Sequence, residues 1–252
     1  MSVLKIGSLF STALVALIAT TPAVAGDGYD HGTADWEGTC ATGLAQSPVD
    51  VVTPKATQTS ATFRPSYSSS STASVANIGH TIRVDLPVGS GSLTLGSKRY
   101  DLKQFHMHAA SENYLNGEQY PLEVHLVHRA ADGALAVVGV LFDEDAFSPQ
   151  LDQVLRATPA EEGHSQAISG LNIAALLPTS GRAYRFGGSL TTPPCSEGVA
   201  WSVMSKPKTA SLQQLAAFAA RFSGHEFPAG NRRPVQSHHG RGFTYTSLAT
   251  DD

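Results

Sequence analysis

Pro121-Leu-Glu-Val-His-Leu-Val-His128, followed across a turn containing Asp132-Gly133 by Leu135-Ala-Val-Val-Gly-Val-Leu-Phe142, is the stretch that decides the kind of fold. Both runs are short, rich in Val and Leu and bounded by turn residues, which reads as strand. Outward from it the same signature recurs at Thr81–Leu86, at Lys103-Gln-Phe-His-Met-His108 and at Val199–Met204. Only two segments read as helix. One starts at Ser148 with Pro149 in the first helical position. The other covers Leu212–Phe222 behind Ser211, with Gln214 three residues on in a capping-box pattern. Many strands and few helices predict a mainly β fold built on a mostly antiparallel sheet and not on alternating βαβ units. The Ser-rich stretch Ser66–Ser74 is expected to be a surface loop.

The N-terminal stretch, the charge and the cysteines bear on its environment. Lys5, the apolar run Ile6–Ala19 and the small-x-small triplet Ala23-Val24-Ala25 read as a secretory signal, residues 1–25, cleaved before Gly26. The run is shorter than the roughly 20 residues of a spanning helix, so no membrane association is expected after cleavage. A 252-residue chain less this 25-residue leader leaves about 227 residues, 26–252, within the range of one all-β domain. Net charge is −4, and about −5 without Lys5, which offers no basic face to nucleic acid. Cys40 and Cys195 are the two cysteines. In an exported, periplasmic or secreted, chain an even count predicts a disulfide, against two free thiols or metal ligands.

The histidines carry the chemistry. His106 and His108 lie two apart on a strand, so both rings leave one face while Met107 leaves the other. On the neighbouring run His125 and His128 are three apart, so at most one of them joins that pair. A site of three histidines keeps one tetrahedral position open, the arrangement of a catalytic zinc. Gln104 and Glu123 each precede a histidine by two and share its face, placed to accept the second ring N–H. The same residues admit a rival: His106, His108 and Glu112 spell H-x-H-x3-E, the first motif of cupin-like metalloenzymes. The later His164, His225, His238 and His239 lack the Gly-rich context that reading needs, and a helix-rich amidohydrolase barrel lacks its helices here.

Six stretches in order carry a resemblance: Gln46-Ser-Pro-Val-Asp50, Asn77-Ile-Gly-His80, Gln104-Phe-His-Met-His108, Ser111-Glu112, Glu123-Val-His-Leu-Val-His128 and Gly188-Ser-Leu-Thr-Thr-Pro-Pro194. Together they resemble the α-class carbonic anhydrases, of the exported bacterial and algal type, from about Tyr29 to Thr246. The resemblance implies zinc on His106, His108 and His125, with His128 turned away. It implies reversible hydration of carbon dioxide to bicarbonate and a proton by a zinc-bound hydroxide, with no nucleic acid partner and a homodimer left open. Thr191 would orient the nucleophile through Glu112, which when ionised can only accept hydrogen bonds. Val127, Val137, Leu190, Thr191, Thr192, Val199 and Trp201 would form the substrate pocket, and Asn231 would support the ligands from behind. His80 matches the proton shuttle, whose need follows from rates. Release of a proton of pKa about 7 to water is capped near 10³ s⁻¹, while this chemistry can reach about 10⁶ s⁻¹. Tyr29 matches the tyrosine that holds the water chain, and Cys40 and Cys195 the family's disulfide.

Three positions depart from the pattern: Ala109 where Trp is common, Asn113 where His is common, and Arg83 at a rim position often Asn or Gln. Arg83 is expected to add positive charge near the cavity mouth. A metal-free binding module of the same fold is the non-enzyme alternative. Such relatives lose ligand histidines, whereas this chain keeps all three.

Overall fold

The computed structural model describes residues 36–224 and 227–248. The expected leader and Tyr29 lie outside them. A short helix α1 (Thr39–Thr42), not foreseen from the sequence, is followed by strands β1 (Asp50–Val51), β2 (Thr57–Gln58), β3 (Phe63–Tyr67), β4 (Ser71–Asn77), β5 (Ile82–Asp85), β6 (Gly91–Leu95), β7 (Lys98–His108), β8 (Tyr114–Leu115), β9 (Leu122–Arg129) and β10 (Leu135–Glu144). Helix α2 (Pro149–Ala157), β11 (Ser165–Leu171), β12 (Arg182–Ser189), β13 (Glu197–Met204), β14 (Lys208–Ala210), α3 (Leu212–Ala219) and β15 (Thr244–Ser247) complete the order. The large sheet runs β11-β4-β5-β7-β9-β10-β13-β12-β15-β2, with β14 beside β10 and β3-β6 attached through β7. Most pairings are antiparallel, but β10 lies parallel to β13 and β14, so the sheet is mixed.

The centre of the sheet is covered on both faces, which is why β9 and β10 read as nearly unbroken apolar runs. One face carries Phe105 and Met107 of β7, Leu122, Val124 and Leu126 of β9, and Ala136, Val138, Val140 and Phe142 of β10 into the main core, which includes α2 and α3. The other face carries Val137 and Leu141 with Val199, Trp201 and Val203 of β13 into a second cluster. By the two-residue period, His106, His108, Glu123 and His125 belong to that second face. Both helices start as expected. The Ser148 hydroxyl accepts from Leu151 N–H, and Ser211 and Gln214 close the capping box. α3 ends at Ala219, not Phe222, because Arg221 and Phe222 N–H bond to carbonyls three residues back and tighten the last turn.

The Ser66–Ser74 loop expectation is corrected. Only residues 68–70 turn, and the flanks are β3 and β4, where Ser71, Ala73 and Val75 alternate inward. Small hydroxyls enter a sheet when paired, and Ser71 Oγ lies 3.0 Å from Ser90 Oγ.

Cys40 and Cys195 form a disulfide with Cα atoms 5.0 Å apart, across a separation of 155 residues. A loop of this length corresponds to about 4–5 kcal/mol of lost unfolded-state entropy. The Cys40→Ser/Cys195→Ser protein is therefore expected to melt roughly 10 °C lower. An unchanged Tm by calorimetry contradicts this.

His128 is buried, with Nε2 2.8 Å from Tyr67 Oη and Nδ1 3.3 Å from the Ala136 carbonyl. Burial pulls its pKa down to about 4. The unfolded chain, with an ordinary His near 6.5, binds more protons between those values. Stability contributed by neutral His128 is thus full above pH 6.5 and lost as pH falls toward 4, by about 3 kcal/mol at most. Denaturant melts of wild type and His128→Gln between pH 7 and 4 should show the smaller acid loss in the variant; identical acid losses refute the assignment.

Candidate metal centre

β7 and β9 are antiparallel neighbours, and their register sets His106 directly opposite His125, with His108 opposite Glu123. The three imidazoles therefore meet: ring centroids are 5.1 Å apart for His106–His108, 5.3 Å for His106–His125 and 4.6 Å for His108–His125. One nitrogen from each lies within 4.8 Å of the others, a spacing that can hold a metal ion. The remaining nitrogens meet acceptors. His106 Nδ1 is 2.9 Å from Gln104 Oε1, and His108 Nδ1 is 2.7 Å from the Asn231 carbonyl. His125 Nε2 is 3.1 Å from Glu123 Oε1, a close polar contact whose angle departs from hydrogen-bond alignment. This pattern presents Nε2, Nε2 and Nδ1 to a common point and fixes the tautomers that coordination needs. Burial, then the charges of His125, His80 and Arg83, hold the His106 pKa well below its ordinary value, which favours the neutral ligand form. For His125 burial lowers the pKa, but Glu123 and Glu112 outweigh it and the net shift is upward. Three neutral-capable imidazoles with an open side suit zinc.

Asn231 reaches the site from the far end of the chain. Besides its carbonyl on His108, its Oδ1 accepts from Ala109 N–H at 2.9 Å. Its Nδ2 donates to the carbonyls of Met107 at 2.9 Å and His80 at 3.0 Å. Gly230 permits this approach: φ is +78°, and a Cβ there would run into the Ala109 carbonyl. The Ala109 departure thus sits where the 230–231 backbone packs.

Glu112 is fully buried. Its Oε1 accepts the Arg233 N–H at 2.7 Å. Burial raises its pKa to about 7, against the opposing pull of His125, the Arg233 N–H and the Thr191 hydroxyl. The Thr191 contact acts on the carboxylate charge but is not a close, aligned bond, and Oε2 has no aligned partner among the described residues. Arg233 is anchored by its guanidinium to Gln46 Oε1 at 2.9 Å and to the carbonyls of Ser47 at 2.7 Å and Cys40 at 2.8 Å. Cys195 follows the Thr191–Pro194 loop directly, so the disulfide ties that loop to the segment gripping Arg233.

A cavity of about 230 Å³ opens over the three histidines. Its lining combines the apolar Val127, Val137, Leu190 and Trp201 with Thr191 and Thr192 and with the polar His80, Arg83 and Gln104. Ile78 and Thr81 also border it and were not singled out from the sequence. Val199, expected on the wall, does not border it. It is buried in the second core cluster, behind the wall. The turn bearing His80 is fixed by Asn77 Oδ1, which accepts Gly79 N–H at 3.1 Å, and by Thr81 Oγ1 donating to the Met107 carbonyl at 2.6 Å. Arg83 lines the cavity, where Asp85 grips it through Nε at 2.9 and 3.1 Å and Nη2 at 2.9 Å, and its charge still acts on His106. The positive charge expected near the mouth is thus present, paired with Asp85.

Comparison with known proteins agrees with this geometry. A family model described as eukaryotic-type carbonic anhydrase matches residues 31–247. A carbonic anhydrase of Pectobacterium carotovorum is 41% identical over 206 residues, 80% of each chain. The solved α-carbonic anhydrase of Photobacterium profundum is 41% identical with a TM-score of 0.73, covering 82% of this chain and 91% of that one. That of Thermovibrio ammonificans, bound to sulfanilamide, is 38% identical with a TM-score of 0.75, covering 82% and 89%. Cupin-like and amidohydrolase readings fall with the fold, since the histidines sit on adjacent strands of one open, mixed sheet. The chain belongs to the eukaryotic-type, or α-class, carbonic anhydrase family.

Proposed function

We propose that this chain is a zinc enzyme that reversibly hydrates carbon dioxide to bicarbonate and a proton. The observation that carries the reading is the convergence of His106, His108 and His125 beneath an apolar cavity wall, with Thr191 and Glu112 beside them. Zinc on three imidazoles supplies the charge that lowers the pKa of water to about 7, so a nucleophile exists at neutral pH. Thr191 has one hydroxyl proton. Donated to Glu112, it leaves an oxygen lone pair to accept from the attacking oxygen, which aims that oxygen's own lone pair at the substrate. The Arg233 N–H on Oε1 keeps Glu112 in place for this. Val127, Val137, Leu190 and Trp201 suit a small neutral substrate with no strong hydrogen-bonding handle. His80, in the cavity lining, takes the proton outward, since histidine is the side chain type suited to proton transfer near neutral pH.

The leader reading, residues 1–25, and the disulfide together support export to the periplasm or beyond, because disulfides persist in oxidising compartments. No helix among the described residues is long and apolar enough to cross a membrane.

Stopped-flow hydration with zinc measured on the same sample tests the reading. One zinc per chain and a rate above buffer are expected; full metal content with no hydration sinks it. His80→Ala should drop turnover toward roughly 10³ s⁻¹ and recover with added imidazole. Failure of that rescue removes the shuttle role.

A further inference from the structure

Glu123 is buried behind His125, and its carboxylate is held more completely than a strand residue of that kind requires. Oε2 accepts the backbone N–H of Glu112 at 2.9 Å and of Asn113 at 2.8 Å, and Oε1 accepts Asn113 Nδ2 at 2.8 Å. Asn113 is itself oriented: Val49 N–H donates to its Oδ1 at 3.1 Å, so the amide nitrogen must face Glu123. Asn113 is one of the three departures from the family pattern noted in the sequence, and it is fully buried.

The opposite side of the carboxylate meets β10. Gly139 pairs with His125 in the β9–β10 register. Its same-face neighbours Val137 and Leu141 fill the second core cluster, and at 139 the side chain is missing. A Cβ there would stand 2.5 Å from Glu123 Oε1, closer than real Cβ contacts, and 3.6 Å from Val203 Cγ2. The Gly139 φ is not in the left-handed region, so its backbone does not require glycine; the carboxylate does. Glycine inside a strand weakens it and marks a close approach, and what approaches here is Oε1.

We infer that Asn113 and Gly139 form a seat for Glu123 and, through it, are positioning residues for His125. Oε1, held between the amide and the glycine notch, stays 3.1 Å from His125 Nε2. This places the ring proton on Nε2 and turns Nδ1 to the metal. The inference rests on the zinc reading above, and it concerns how tightly the ion is kept.

The test uses zinc-loaded wild type, Gly139→Ala and Asn113→Ala, with each substitution repeated in a Glu123→Ala background. The rate of zinc transfer to a chromogenic chelator is read, with the Tm of the zinc-free proteins alongside. Gly139→Ala and Asn113→Ala should release zinc about 10- to 100-fold faster than wild type. Neither should accelerate release further once Glu123 is Ala, because both act through its carboxylate. Wild-type release rates, or a full effect persisting without Glu123, overturn the seat. Should Gly139→Ala not fold, Asn113→Ala decides, since it removes atoms where the other adds them. A wild-type chain that takes up no zinc overturns the seat together with the enzyme reading; zinc-retaining variants with wild-type rates overturn the seat alone.

Discussion

His106→Ala is expected to purify folded, with little or no zinc, and to hydrate carbon dioxide no faster than buffer. The ring borders the cavity and is only partly buried, so its removal enlarges that cavity instead of emptying a sealed part of the interior. What it removes is one of three ligand atoms that lie within 4.8 Å of one another. Two imidazoles from β7 and β9 then remain, too few for the three-ligand protein site a catalytic zinc needs. A drop from rates near 10⁶ s⁻¹ to background is the largest change any single substitution should cause here. His164→Ala provides the contrast. That side chain is exposed, its closest ionic partner Glu161 is 3.8 Å away, and zinc and rate should both stay at wild-type levels. Stoichiometric zinc with wild-type turnover in His106→Ala removes the histidine from the metal site.

Thr191→Ala should keep its zinc yet lose about 10²- to 10³-fold in kcat/KM. The partners of the ligand rings' second nitrogens are Gln104, Asn231 and Glu123, and Thr191 is not one of them. Its hydroxyl acts on Glu112, whose position the Arg233 N–H fixes at 2.7 Å. Losing one preorganised hydrogen-bonding group aimed at a reacting oxygen costs about 2.7–4 kcal/mol of barrier in enzymes of other kinds. Thr191→Ser retains the hydroxyl and should retain most of the rate. A Thr191→Ala enzyme within a few-fold of wild type, with zinc intact, means the hydroxyl does not orient the nucleophile. The comparison separates orientation from metal loss because zinc is counted in every sample.

The strands were legible because their pattern is local. Alternation around Met107 set His106 and His108 on one face, and Glu123 followed by His125 did the same on the next strand. Both helix starts were legible in Ser148-Pro149 and in Ser211 with Gln214. Other features had no local signal. The Ser66–Ser74 stretch has loop-like composition, yet β5 and β11 on either side of β4 draw Ser71–Asn77 into the sheet. Arg233 shows nothing near it in sequence to mark it as the anchor of Glu112, 121 residues away. The charge of Arg83 was legible, but not that Asp85 would hold it, since either side chain could have faced solvent alone. Gly139 reads as a blemish in an apolar strand until Glu123 is packed against it.

By itself, then, the sequence determined the strand-rich class, the face on which each histidine leaves its strand, and the order of the family's motifs, because side-chain alternation and turn chemistry act over a few residues. Only the tertiary structure decided which nitrogen of each ring is presented to a metal. That choice belongs to the acceptor on the other nitrogen. For His106 it comes from two residues away, but for His108 it is the carbonyl of Asn231, 123 residues on. For His125 the acceptor, Glu123, is itself held by residues of a loop and of the next strand. Hydrogen bonds act over about 3 Å, and folding alone brings such partners that close.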